Sequence, residues 1–342
     1  MRSIRHWLSL LSQTIAVSGD EQGAAPLMEK IKPLCDRVWQ NADGSVVLFK
    51  KSARPGAPKI MMDAHLDEVG LMVNKIDADG FIHFINHAGV DAKILPGTRV
   101  RVLGKQPLVG VVAAKPPHLL SKEEREKPIK MKDMVIDVGL TEDQAKNMIR
   151  VGDAIAYDSA YMPLLSNCVT GKSLDNRASM AVLLSLLETQ QNRSFFADLY
   201  ITFSSGEEFG GYGATALARE IAPDMAIVLD VSHADMPGAD VASCGKLSKG
   251  VMIGVSPVLD KGLSDRFLQL AHQNKIPYQT EAMSSRTSTN ADSIMPLCGG
   301  IPTALLSIPL RYMHTPQEIV SLNDMLTVRS LLSVFLGEEG SV

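Results

Sequence analysis

Five polar side chains of types that bind metal ions stand shortly after predicted strands or at the start of a predicted helix. They are His65, Asp175, Glu208, Asp230 and His314. Because ligand sites in open α/β sheets gather at the carboxyl ends of the strands, we expect these side chains to converge. Two imidazoles and three carboxylates exceed what one tetrahedral zinc ion needs. With one bridging carboxylate, they suffice for two divalent ions about 3.5 to 4 Å apart, which clamp a water molecule and polarise a substrate carbonyl.

Two further acidic residues adjoin this set. Glu207 precedes Glu208 in a glycine-containing loop and could face a metal-bound water molecule as a general base. Asp67 lies two residues after His65 and could accept the second N–H of that imidazole, which would fix its tautomer. Each residue taken alone has a simpler explanation; Asp175, for example, suits a helix N-terminus because of the helix dipole. Their joint placement at strand and helix ends favours a metal site.

The elements that must position these residues predict an α/β fold. After about residue 166, strands that are apolar throughout alternate with helices, as in a sheet that is covered on both faces. Between residues 71 and 165, short β-like segments alternate instead with Gly and Pro turns. We therefore predict one catalytic domain, residues 1–70 and 166–342, interrupted by a small β-rich domain over residues 71–165.

Composition excludes several classes of protein. With 45% hydrophobic and 21% charged residues, the chain can bury a large core. The 34 basic and 38 acidic residues give a net charge of −4, and the absence of a basic run argues against nucleic-acid binding. No segment approaches the ~18 apolar residues of a membrane span. Residues 4–15 have helical spacing, which favours an amphipathic helix over a signal peptide.

The remaining motifs do not change this interpretation. The four cysteines are far apart and form no C-x-x-C pair, which is typical of a reduced, cytoplasmic protein. Neither the G-x-S-x-G nor the G-x-G-x-x-G motif is present, so serine-hydrolase and dinucleotide-binding functions lack support. His83 and His87 lie in the β-rich part, and we interpret both as structural rather than as metal ligands.

The motifs around the candidate site residues resemble those of the tetrahedral metallo-aminopeptidases, glutamyl-aminopeptidase-like enzymes formerly classed as endoglucanases. The segments that carry the resemblance are Met62 to Gly70, Leu174 to Arg177, Gly206 to Glu208, Val228 to Asp230 and Arg311 to Pro316. Together they follow the family's order over almost the whole chain. The resemblance implies a zinc-exopeptidase-like α/β fold, with a mixed sheet flanked by helices and an inserted small β-rich domain.

The resemblance also implies which residue binds which ion. Asp175 matches the carboxylate that bridges two metal ions. His65 and Asp230 match the residues that complete one ion's ligands, and Glu208 and His314 match those that complete the other's. Zinc and cobalt are the first candidates for the two ions, and manganese is a third, because imidazole and carboxylate accept all of them.

Further roles follow from the same resemblance. Glu207 matches the general base, and Asp67 matches the residue that orients His65. The inserted segment over residues 71–165 matches a dimerisation domain, and dimers of the family assemble into a dodecamer. At Asn290 the chain departs from the family, whose members commonly carry the aspartate of a Gly-Gly-Thr-Asp-Ala loop near the substrate pocket. We expect this difference to affect substrate specificity more than metal binding.

We therefore predict a cytoplasmic, homo-oligomeric aminopeptidase that acts on peptides and binds neither nucleic acid nor membranes. A metal-bridging hydroxide would attack the scissile carbonyl, while Glu207 takes the proton and passes it to the leaving amine. Two alternatives remain open at this point. The first is a metal-independent glycosidase with a carboxylate pair such as Glu207 and Asp230. The second is a non-catalytic assembly protein that metal ions stabilise.

Overall fold

The computed structural model describes residues 1–191, 195–240 and 244–337 of the 342-residue chain. Its strands form one eleven-stranded mixed sheet and one closed barrel. The strands are β1 Arg37–Gln40, β2 Val46–Lys50, β3 Lys59–His65, β4 Gly70–Ile76, β5 Ile82–His87, β6 Arg99–Leu103, β7 Pro107–Ala114, β8 Met134–Asp137, β9 Ala154–Tyr157, β10 Met162–Pro163, β11 Cys168–Gly171, β12 Asp198–Ser204, β13 Met225–His233, β14 Val251–Val255, β15 Tyr278–Ala282, β16 Thr303–Arg311 and β17 Glu318–Ser321.

Helices cover both faces of the large sheet. The α-helices of the described residues are α1 Arg2–Ser12, α2 Ala25–Ile31, α3 Lys122–Arg125, α4 Glu142–Met148, α5 Leu174–Thr189, α6 Tyr212–Ile221, α7 Lys261–Gln273, α8 Ala291–Ile294 and α9 Leu322–Gly337. Ile60 and Met62 of β3 pack into one core cluster with α1, α5 and α9, whereas Met61 packs on the opposite face with α6. This burial on both faces explains why Ile60, Met61 and Met62 form a continuous apolar run at the middle of the strand.

The large sheet has a parallel centre. Its strands run in the order β1, β2, β12, β3, β13, β16, β17, β11, β10, and β14 pairs with β16 and with β15. Strand β3 lies between β12 and β13 and is parallel to both, and β13 is in turn parallel to β16. The carboxyl ends of these four strands therefore meet at one edge of the sheet.

The predicted mixed α/β fold with an inserted β-rich part is confirmed. Strand β13 extends further than the sequence suggested, so Asp230 lies within it rather than directly after it. The reason is that β13 stays paired with β16 from Ala226 to His233. The predicted N-terminal amphipathic helix is α1, which buries Ile4 and Leu8 in the main core. None of the helices that the structure describes has the length and apolar character needed to cross a membrane.

The inserted part forms a closed barrel of β4, β5, β8, β7, β6 and β9. In β6, Val100 and Val102 point into the barrel core, whereas Arg99 and Arg101 are exposed. Strand β10 pairs with β11, so the chain has already rejoined the large sheet at Met162–Pro163. The division into domains at residues 71 and 165, and the role of the insertion in dimerisation, stay predictions.

Candidate metal site

The structure brings all five predicted metal ligands together at the carboxyl edge of the parallel strands. His65 is the last residue of β3, and Asp175 lies in the first turn of α5. The Nε2 atom of His65 is 2.9 Å from Asp175 Oδ1 and 3.8 Å from Asp230 Oδ1. These three side chains are buried, and each has a potential ligand atom within 4.8 Å of those of the other two.

A second group shares Asp175. The Nε2 atom of His314 is 3.3 Å from Asp175 Oδ2 and 3.2 Å from Glu208 Oε1. The ligand atoms of Asp175, Glu208 and His314 also lie within 4.8 Å of one another. One oxygen of Asp175 therefore faces His65, and the other faces His314, which is the arrangement that a carboxylate between two cations requires.

The charges of the site fit divalent cations. Three carboxylates converge here with two imidazoles, and within the described ranges no Lys or Arg side chain forms an ion pair with Asp175, Glu208 or Asp230. Buried carboxylates are costly unless they are paired or bind metal ions. Imidazole and carboxylate together suit zinc, cobalt and manganese. Both the ligand types and the excess of negative charge therefore fit two bound divalent ions.

The pKa values of these groups reflect the same excess of acid. Burial, reinforced by the Glu207 and Asp175 carboxylates and opposed by His65, raises the pKa of Asp230 well above its ordinary value. Burial disfavours the charged form of His314, but its hydrogen bonds to Asp175 and Glu208 outweigh that effect and raise its pKa to about 11. Burial also raises the pKa of Glu207 to about 8. Cations in the site would lower the pKa of each carboxyl group.

Glu207 and Glu208 lie in one turn of 3₁₀-helix between glycines. Gly206, Gly210 and Gly211 have φ values of 66°, 109° and 73°, a left-handed conformation that favours glycine. This sharp loop turns both carboxylates toward His65, and the ligand atoms of these three residues lie within 4.8 Å of one another. The glycines thereby place the predicted base next to the predicted metal ligands.

Asp67 contacts this loop more directly than the sequence suggested. Its carboxylate accepts hydrogen bonds from the backbone N–H groups of Glu207, at 3.0 Å, and Glu208, at 3.2 Å, and from the Ser18 hydroxyl, at 2.6 Å. The His65 Nδ1 atom lies 3.0 Å from the Asp67 carbonyl oxygen and 3.6 Å from its carboxylate. The backbone carbonyl of Asp67 is therefore nearer to the imidazole than its carboxylate is. The role of Asp67 in orienting His65 stays a prediction.

Comparison with known proteins identifies the family. The M42 glutamyl aminopeptidase family matches residues 44–331, a span that includes all seven candidate site residues. The chain belongs to this family. Lysyl aminopeptidase of Pyrococcus furiosus is 30% identical to this M42 peptidase over 316 residues, which cover 91% of this chain and 90% of that protein.

Solved structures agree with this assignment. A TET aminopeptidase from a marine-sediment Thaumarchaeota archaeon has a TM-score of 0.92 and 29% identity, with 99% of this chain and 97% of that chain covered. Pyrococcus horikoshii TET1 peptidase has a TM-score of 0.86 and 26% identity, with 98% of this chain and 99% of that chain covered. That peptidase can assemble into a tetrahedron or a large octahedral shell. The predicted resemblance and the predicted peptide hydrolase are confirmed. The glycosidase and non-catalytic alternatives are accordingly set aside.

One acidic residue that contacts the site belongs to none of the motifs found in the sequence. Glu318 of this M42 peptidase is buried and accepts the backbone N–H of Asp175 at 3.0 Å and that of His314 at 2.8 Å. A single carboxylate thus fixes the backbone of two candidate ligands that are far apart in sequence. Its spacing of four residues from His314 has no known signature, so only the tertiary structure reveals its role.

We expect Glu318→Ala to lower the free energy of unfolding by about 2 to 6 kcal/mol, since two buried N–H groups lose their acceptor at about 1 to 3 kcal/mol each. Urea unfolding would measure the loss. Glu318→Gln is the matched control, because its amide oxygen can still accept one of the two hydrogen bonds and should give an intermediate loss. If the Ala variant is as stable as the wild type, Glu318 does not support the site in this way.

Asn290, where the family commonly has an acid, lies within the core of this M42 peptidase. It is only 1% exposed, and its Nδ2 donates to Asp63 Oδ2 at 2.8 Å and to the Ser204 hydroxyl at 2.9 Å. Asp63 is fully buried and also accepts from the Thr202 hydroxyl at 2.6 Å. Because Asp63 is an acceptor, an amide suits position 290 better than a second carboxylate. The hydrogen bonds of Asn290 are therefore made to buried groups. The expected effect of Asn290 on substrate specificity stays a prediction.

We expect Asn290→Asp to destabilise the protein by about 3 kcal/mol at neutral pH, because a second buried carboxylate would replace the amide that donates to Asp63 and to the Ser204 hydroxyl. Thermal and urea unfolding would measure the change. The double variant Asp63→Asn with Asn290→Asp exchanges the acid and the amide and should recover part of the lost stability. An Asn290→Asp protein of wild-type stability would show that this contact carries no such cost.

Proposed function

We propose that this M42 peptidase is a dinuclear, metal-dependent aminopeptidase that removes N-terminal residues from peptides. The observation that carries the proposal is the position of the Asp175 carboxylate, with one oxygen 2.9 Å from His65 Nε2 and the other 3.3 Å from His314 Nε2. His65, Asp175 and Asp230 would hold one cation, and Asp175, Glu208 and His314 would hold the other. Zinc or cobalt is the proposed metal, and manganese is a third candidate.

The remaining chemistry falls to Glu207. Two divalent cations, when bound, would polarise the scissile carbonyl and lower the pKa of a water molecule. Glu207 is not needed as a ligand, and its carboxylate lies beside the ligands His65 and Glu208. Positive charge in the site would lower its pKa from about 8, so that it is ionised near neutral pH. Glu207 would then accept the proton of the water molecule and deliver it to the leaving amine.

We further propose that the protein is a cytoplasmic homo-oligomer whose dimers form through the inserted barrel and assemble into a dodecamer. The similar TET1 peptidase of Pyrococcus horikoshii supports assembly into a closed shell. On the barrel, Ile85, Val109 and Val111 are 44%, 53% and 43% exposed, so their apolar side chains are available to a partner subunit. Light scattering on the purified protein would measure the mass of the assembly, and a monomer would contradict this part of the proposal.

Removal of the metal ions tests the proposed activity. We expect exhaustive treatment with a chelator to abolish hydrolysis of peptides with a free amino terminus, and zinc, cobalt or manganese to restore it. N-acetylated copies of the same peptides are the matched control and should not be cleaved. Restoration should saturate near two ions per chain by elemental analysis. Full activity in the chelated protein, or saturation with a single ion, would contradict the proposal.

A further inference from the structure

The inserted barrel reaches the candidate metal site through a short loop after β5. The carbonyl oxygen of Gly89 lies 3.1 Å from Nδ1 of His314, which is within hydrogen-bond distance. The opposite ring atom, Nε2, faces Asp175 and Glu208. A residue of the insertion therefore contacts the side of His314 that points away from the candidate cation.

The approach of this loop to the imidazole requires glycine. A Cβ atom added at Gly89 would lie 2.5 Å from Nδ1 of His314 and 2.8 Å from Cε1, distances that real Cβ atoms essentially never show. The loop is also held in place on the barrel side, where Val90 is buried in the barrel core and its N–H donates to the carbonyl of Ala88 at 3.0 Å. The backbone of the insertion therefore contacts the ring directly.

Two more contacts connect the barrel with the same region. Tyr157, in the last barrel strand, is buried, and its hydroxyl donates to the carbonyl oxygen of His314 at 3.4 Å. The ring of His87, at the end of β5, packs edge to face against Phe209 with ring centroids 4.6 Å apart. Phe209 directly follows Glu208. Of the three candidate ligands of the second cation, the barrel therefore contacts His314 itself and the residue next to Glu208.

We propose that the inserted barrel is part of the active site, with Gly89 as a positioning residue for His314. The Gly89 carbonyl holds the proton of the imidazole on Nδ1, which leaves Nε2 as the atom that binds the cation shared with Asp175 and Glu208. Tyr157 fixes the backbone of the same residue. This inference rests on the proposed dinuclear function and adds that the second cation depends on the insertion as well as on the catalytic domain.

Zinc titration of the metal-free protein tests this inference without reference to turnover. We expect the methyl group of Gly89→Ala to push the His314 ring away from the carbonyl of residue 89. The affinity for one of the two zinc ions should then fall about 10- to 100-fold, the usual effect when a metal-binding histidine loses its hydrogen-bond partner. The other ion, held by His65 and Asp230, should keep its wild-type affinity. With both ions supplied in excess, kcat should fall more than KM changes.

Two further variants separate positioning from stability. Tyr157→Phe removes only a hydroxyl. It should lower the affinity for the same zinc ion by up to about tenfold, which corresponds to the free energy of one hydrogen bond. Val102→Ala truncates a fully buried residue of the barrel core, and it should lower Tm while both zinc affinities stay at their wild-type values.

The possible outcomes are distinct. A folded Gly89→Ala protein that binds both zinc ions with wild-type affinity overturns the inference. If that variant does not fold, Tyr157→Phe decides, and unchanged affinity for both ions overturns the inference in the same way. A wild-type protein that binds fewer than two ions per chain of zinc, cobalt and manganese alike instead refutes the proposed dinuclear function, and the inference fails with it.

Discussion

Glu207→Gln is expected to lower kcat by about 10²- to 10⁴-fold, the usual contribution of a general base. The amide has almost the same shape as the carboxylate but cannot accept a proton at neutral pH. Because Glu207 is not one of the five proposed ligands, the variant should bind two metal ions per chain and unfold at close to the wild-type temperature. Steady-state kinetics with elemental analysis of the same sample would measure both quantities.

The neighbouring residue provides the matched comparison. Glu208→Gln alters a proposed ligand, so we expect weaker binding of one ion, and excess metal should recover part of the activity. Excess metal should not recover the activity of Glu207→Gln. Peptide cleavage near the wild-type rate by Glu207→Gln would show that another group accepts the proton.

Asp175→Ala is expected to remove both metal ions and all detectable hydrolysis. Asp175 is the only one of the five ligands that belongs to both groups, since its two oxygens face different imidazoles. His65→Ala should be less severe for metal content, because the ligands Asp175, Glu208 and His314 remain for the other ion. Elemental analysis after dialysis would compare the two variants. One tightly held ion in the Asp175→Ala protein would mean that the two ions are not bridged.

The sequence predicted those parts of the site that depend on strand ends. His65 and Asp230 belong to neighbouring parallel strands, so their meeting at one sheet edge follows from the order of apolar segments. His314 and Glu208 also follow strands of this parallel centre. In these cases the position along the chain and the geometry of a parallel sheet together determine the position in space.

Other contacts could not be predicted from the sequence, because they join segments that only the tertiary fold brings together. Glu318 supports two proposed ligands through their backbone N–H groups, and backbone contacts leave no pattern of residue types. Gly89 contacts His314 through a carbonyl oxygen, so the only trace in the sequence is one glycine in a chain that has 26. Asn290 and Asp63 are complementary only because a buried carboxylate needs a donor beside it.

The position of β3 at the centre of the sheet also affects how the chain folds while it is being synthesised. Both of its neighbours, β12 and β13, follow the entire barrel in the chain. On the ribosome, this strand therefore emerges with two unpaired edges. It stays unpaired until β12 and β13 have been made, although the barrel strands are already complete. Such exposure favours aggregation in the nascent chain. We expect truncated chains that end before β12 to need chaperones to stay dispersed, even where their barrel is folded.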